Sequence, residues 1–348
     1  MVVSNDIHEY GIDDTGIKSL WITYFLIALL SSLIGDSIIL IASVKYNAIK
    51  LNKFLVAVMQ HTAVCDIVAS LSFVLPTLIS LIANKWILGE AVAYIQVYLN
   101  FSSIIANNIL ICILVCSKLL LLKFPLKSRN WSVKHAHFAC ACVWMFALLI
   151  PALRLAFDEH GLVFTYVAYN IDYGLSSEYS LADKIIVYIY LVLVVYVCTI
   201  TIIVATGWIM VFLLKSRSAA QQSGGNKRWQ GMVTVVATAT VYCISALPYA
   251  LHFLIELIDP NVVELDTKTK ANLTRLFESL NTLNIMCNFF IYSFAIPSFR
   301  AFIKSMICKV MKYHVLFRRH KDRRSAVGDQ NETEVHILQE SNISGKQG

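Results

Sequence analysis

Two acidic side chains, Asp36 and Asp66, stand deep inside long apolar runs, and they are the only carboxylates placed so far from a run's ends. A charge at the centre of a bilayer costs about 2.5–3.5 kcal/mol on insertion scales, so such residues turn toward a polar interior. Two carboxyls within a few ångströms at low dielectric share a proton and titrate as a unit, unless a bound cation holds both ionised. The chemistry on offer is that of an ion or proton site. The plainer alternative is a hydrogen-bonded network that fastens helices. No hydrolytic triad, phosphate loop or metal cluster accompanies the pair in the sequence, so the pattern is not that of an enzyme.

The elements that must position these acids follow from composition. The 348 residues are 57% apolar and 15% charged, with mean hydropathy +0.65, where a soluble domain is about 25% charged. The charges cluster between apolar runs at 20–44, 54–82, 91–122, 138–155, 185–214, 232–258 and 276–296. About 20 apolar residues cross a bilayer as a helix, so these are seven spanning helices. Apolar and polar residues do not alternate along them, which excludes a membrane barrel. The first run follows an acidic segment and lacks a small-residue cleavage pattern, so it reads as a span and not as a leader. The fold class is an all-α membrane protein, a seven-transmembrane helix bundle over 20–296. An extracellular amino terminus covers 1–19, a short amphipathic membrane-surface helix covers 297–310, and a disordered cytoplasmic tail covers 311–348.

Charge sets the orientation. With the amino terminus outside, 22 of the 29 Lys and Arg fall in inner segments and 15 of the 22 acids fall outside. The net charge of +7 then reflects topology and contact with anionic membrane lipids, and no compact basic domain speaks for nucleic acid. None of the nine cysteines lies in an outer loop, so no extracellular disulfide is expected. Among the Asn-x-Ser/Thr triplets only Asn272-Leu273-Thr274 is outside, and it abuts the seventh span.

The motifs, in order, carry a family resemblance. They are Gly35-Asp36, Ala63-Val64-Cys65-Asp66-Ile67, Trp86-Ile87-Leu88-Gly89, Pro125-Leu126, Trp144, Pro248-Tyr249, Asn288-Phe289-Phe290-Ile291-Tyr292, Phe299-Arg300 and Cys308. From about 20 to 308 the chain resembles a rhodopsin-like (class A) G protein-coupled receptor. It departs from that family where Ser117-Lys118-Leu119 replaces Asp-Arg-Tyr, Ala246 the toggle tryptophan, Phe289 the helix-7 proline, and Ala93 the outer disulfide cysteine.

The resemblance implies roles. Asp66 takes the place of the sodium-site aspartate, with Asn107, Asn284 and Asn288 on neighbouring positions and Asp36 where the family has asparagine. Asn100 stands where amine receptors carry an aspartate, so the ligand is not a biogenic amine. Thr282 stands where opsins carry their lysine, so no retinal Schiff base forms there. Tyr249, His252, Phe253, Glu278 and Asn281 complete the implied ligand-binding set. Ser117, Lys118 and Tyr292 are implied in G protein coupling, and Cys308 in palmitoylation. The function implied is a plasma-membrane receptor linking an extracellular ligand to a heterotrimeric G protein. Two rivals are a non-signalling seven-helix binding or scaffold protein, and an ion or proton transporter using the acidic pair.

Overall fold

The computed structural model describes residues 15–45, 52–124, 132–157, 164–167, 170–173, 185, 190–220, 226–258, 267–309 and 311–312. The first span is α1 (Thr15–Leu40), which ends in a π-helical turn at Ile41–Lys45. The second is broken into α2 (Lys53–Ala69), a π turn at Ser70–Val74, and α3 (Leu75–Ala83). Then follow α4 (Gly89–Lys123), α5 (Val133–Phe157), a π-helical stretch Tyr190–Val197 leading into α6 (Cys198–Ala220), α7 (Asn226–Ile258) and α8 (Thr267–Ala295). Between α5 and α6 a two-stranded antiparallel hairpin pairs β1 (Phe164–Val167) with β2 (Asn170–Tyr173). A second compact unit begins at Ser298, and α9 (Pro297–Lys309) forms its described part.

Among the described residues, five helical stretches are long and apolar enough to cross a membrane: Lys18–Val44, Lys53–Ala83, Ala91–Lys123, Val133–Leu153 and Val194–Phe212. Among the described residues, α7 contributes the shorter apolar stretch Met232–Pro248 and α8 the stretch Ser279–Ala295. The helices close into a ring in which α1 packs on α2 and α8, α8 on α7, and α7 on α6. The long α4 touches α2, α5, α6 and α7 and forms the axle of the bundle.

Burial is reversed relative to a soluble protein. Met145 and Phe294 are each 74% exposed, while Asp36 is 1% and Asp66 0% exposed. Apolar side chains facing outward match lipid, which offers them nothing worse than another leucine. Cohesion therefore comes from close packing and from polar contacts between helices. At one end of the bundle Trp21 stacks on Phe25, and Tyr24 of α1 meets both edge to face, with ring centroids 5.4–6.1 Å apart. Phe25 packs there with Phe73, Leu78 and Leu81. Such aromatic pairs contribute about 0.5–1.5 kcal/mol beyond their buried area.

Three local features depart from the spans read in the sequence. The second span is not continuous: Pro76 has no N–H for the Ser72 carbonyl, and the ladder accommodates this with the π turn at Ser70–Val74. The fourth helix starts at Val133, five residues before its apolar run, because Ser132 and His135 brace its first turn, with Ser132 Oγ 2.7 Å from His135 Nδ1. The turn after α3 reverses through Asn84 at φ 56° and Gly89 at φ 78°, and Trp86 Nε1 donates to the Gly89 carbonyl at 3.0 Å. Gly89 is the residue that takes this left-handed geometry without strain. Residues 1–14 and 313–348 lie outside the described residues.

Candidate functional site

The acidic site is built by four helices. Ser32 and Asp36 are four apart on α1 and so share a face. Ser32 Oγ lies 2.9 Å from Asp36 Oδ2 and 3.2 Å from the backbone carbonyl of Asp66 on α2. One hydroxyl proton cannot serve both acceptors fully. Ser32 is the donor in both contacts, so its single proton is shared between α1 and α2. Asp66 accepts from Asn288 Nδ2 of α8 at 2.5 Å and from Asn107 Nδ2 of α4 at 3.5 Å. These partners are neutral amides. Cys65, beside it in sequence, donates to the Ser103 carbonyl at 3.1 Å and ties α2 to α4.

Around the pair, buried oxygens stand without a protein partner among the described residues. They include Asp36 Oδ1, Ser70 Oγ, the side-chain oxygens of Asn107, Asn284 and Asn288, and the Tyr292 hydroxyl. Buried polar atoms of native proteins are paired as a rule, so these oxygens make the region rich in acceptors. An all-oxygen set with one or two carboxylates fits a hard cation and does not suit a soft one.

Toward α3 and the far end of α8 the polar surface continues. A cavity of about 50 Å³, room for a few waters, is lined by Asn100, Ser103, Asn107, Asn281, Thr282 and Asn284, with Phe73 and Tyr242 among its apolar walls. The structure thus brings three of the ligand-site candidates (Asn100, Asn281, Thr282) onto the same cavity as two members of the ion network (Asn107, Asn284). Thr282 is also committed locally: its hydroxyl donates to the Ser279 carbonyl at 2.7 Å and lies 2.6 Å from the Tyr24 hydroxyl, which itself reaches the Ser279 carbonyl. Tyr249, His252, Phe253 and Glu278 lie on α7 and α8, but their side chains are outside the described residues, as is that of Asn272. The Asn272 triplet falls within the helical stretch of α8.

The other end of α4 carries the coupling candidates. Ser117 is buried and its hydroxyl donates back to the Leu114 carbonyl at 3.0 Å. Lys118 is only 7% exposed, so it is not a lysine reaching out to a membrane surface. Tyr292 is 1% exposed, which removes it from any interfacial aromatic belt and places its ring in the core. Ala93, at the family's outer cysteine position, is buried with Val97 beneath Trp86 and Phe101. All nine cysteines are free thiols, and Cys308 is exposed near the end of α9.

Two site residues were missed in the sequence. Ser32 had a usable signal, a hydroxyl one turn before an intramembrane acid. Tyr24 had none, because an aromatic residue near the end of a span reads equally well as packing.

Comparison with protein families returns the model described as 7 transmembrane receptor (rhodopsin family), matched over residues 35–292, about three quarters of the chain. Comparison with curated proteins finds no match.

Proposed function

Because the chain belongs to the rhodopsin family of seven-transmembrane receptors, we propose that it is a plasma-membrane receptor that couples an extracellular ligand to a heterotrimeric G protein. Its amino terminus is outside and its tail cytoplasmic, a reading supported by the lysine and arginine bias. Family membership makes it a multi-pass membrane receptor in type, and the remainder of the reading is carried by one observation: the cavity that joins Asn100, Asn281 and Thr282 to Asn107 and Asn284 beside Asp66. A ligand seated above that cavity changes the same hydrogen bonds that hold α1, α2, α4 and α8 together. Ligand contact there favours one arrangement of the bundle over another, and opening at α6 and α7 admits the G protein.

Asn100 leaves the pocket without a carboxylate at that position, so the ligand is not a biogenic amine, and Thr282 offers no amine for retinal. Asp66, Asn107 and Asn288 would hold a sodium ion, whose positive charge would offset that of the buried carboxylate. Cys308 is the palmitoylation site, and α9 rests on the inner leaflet. An unbiased ligand screen read with a G protein biosensor tests the proposal: a ligand-dependent response supports it, and silence with every G protein favours the second reading.

That second reading is a seven-helix binding or scaffold protein without exchange activity. It is favoured by Ser117-Lys118-Leu119, in which the guanidinium fork is missing and the remaining lysine is buried.

A further inference from the structure

Away from the acidic pair, two histidines from different helices meet edge to edge. His61 Nε2 of α2 lies 3.0 Å from His137 Nδ1 of α5, with ring centroids 5.3 Å apart and planes at 64°. His61 is half-buried and His137 is exposed, so the pair sits on the outside of the bundle in the groove between two packed helices. His61 is two turns from the start of α2 and His137 one turn from the start of α5, which the charge bias assigns to the inner side.

We propose that His61 and His137 form a binding site for a divalent late transition-metal ion of the zinc class, which clamps α2 to α5 at the inner end of the bundle. Neutral imidazole is a ligand for zinc, nickel and copper(II). Zinc–nitrogen bonds of about 2.0–2.1 Å at a tetrahedral angle place two ligating nitrogens about 3.3 Å apart. The observed 3.0 Å separation is within a few tenths of an ångström of that distance, and the two rings turn so that both lone pairs converge on one point beside the line joining the nitrogens. In the metal-free pair one ring donates its N–H to the other. On binding, that proton moves to the ring's second nitrogen, Nδ1 of His61 or Nε2 of His137, so both rings stay neutral and both facing nitrogens present lone pairs. Among the described residues no third His, Cys, Asp or Glu completes the set. The remaining positions belong to water or lipid-headgroup oxygens, which the exposed side of His137 admits, and the site is open and exchangeable.

The experiment uses the whole receptor in lipid nanodiscs after chelator treatment, titrated with zinc and followed by its thermal unfolding midpoint. Zinc that binds the folded state raises the midpoint. The informative variants are His61→Gln and His137→Asn, whose amides stand where Nε2 and Nδ1 stood; they keep a hydrogen bond between the helices and remove a metal ligand. Both variants, and the double variant, should lose the zinc-induced rise with at least about a tenfold fall in affinity. His135→Gln should respond as the original does. Copper(II) bound to the unaltered receptor should give a paramagnetic resonance spectrum with two coupled imidazole nitrogens, which decides the matter even if a variant fails to fold. A midpoint indifferent to zinc, an equal rise in His61→Gln, or a one-nitrogen copper spectrum overturns the site and leaves a hydrogen bond only. None of these outcomes depends on ligand or G protein, so failure here is distinct from failure of the receptor reading.

Discussion

Gly35 of α1 lies against Phe289 of α8 so closely that a Cβ added to the glycine would stand 2.6 Å from the phenylalanine Cβ and 2.7 Å from its Cγ. Both atoms are the rigid root of the side chain, so the ring cannot swing clear. The glycine is what lets a bulky residue occupy the position where the family has proline. Gly35→Ala should lower stability by about 1–3 kcal/mol, the usual cost of overpacking. Phe289→Gly, which removes both the Cβ and the Cγ from the contact, should recover part of that loss in the double variant, because the two changes share one contact. Thermal unfolding of the four proteins in detergent checks this, and additive effects would disprove the contact.

Asp36→Asn restores the family residue and keeps an oxygen to accept from Ser32. The fold should persist, while the pair ceases to act as a unit. Protons compete with a cation for the same oxygens, so sodium should affect ligand affinity most at high pH and progressively less as pH falls. Binding assays across pH and sodium concentration should show this dependence in the original receptor and its loss in the variant. Identical profiles in the two proteins would mean that the pair only fastens helices.

Lys118 keeps a positive charge in the last turns of α4 without the planar five-donor fork of arginine. Lys118→Arg should increase nucleotide exchange on a cognate G protein, and Lys118→Ala should nearly abolish it. Ser117 brings no carboxylate to restrain the resting state, so basal activity should be measurable and the ligand-induced increment small. Exchange rates that ignore both substitutions would leave Lys118 as a packed residue with no part in coupling.

Mild dithiothreitol should leave surface expression and ligand binding unchanged, because all nine cysteines are free. Ala93→Cys should add a thiol that labels slowly, since Ala93 is buried under Trp86 and Phe101. Loss of binding on reduction would show that a bridge forms in the mature receptor.

The arrangement of spans was legible because a bilayer imposes one length and one polarity on every crossing, and the apolar runs report both. The acidic pair was legible for the same reason: a carboxylate in such a run has few places to go. Asn107 and Asn288 came from the resemblance, and both reach Asp66. What escaped was whatever depends on close packing across the chain. The Gly35–Phe289 contact joins residues far apart in sequence, and the His61–His137 pair joins two helices whose histidines look unremarkable singly. The break at Ser70–Val74 was foreshadowed by Pro76, but the π stretch at Tyr190–Val197 contains no proline and has no comparable signal.

The π turn at Ser70–Val74 has an evolutionary consequence. Each residue of an α-helix advances about 100° around the axis, so one extra residue held in a wide turn rotates everything beyond it by that much. The side chains that α3 directs into the bundle are thus set by a count of residues as well as by their identity. Deleting a single residue between 70 and 74 would turn Thr77 and Ser80, now buried, away from the interior and bring their neighbours in. A receptor lineage can in this way exchange the whole inner face of one helix end in a single mutational step, with every substituted position left as it was.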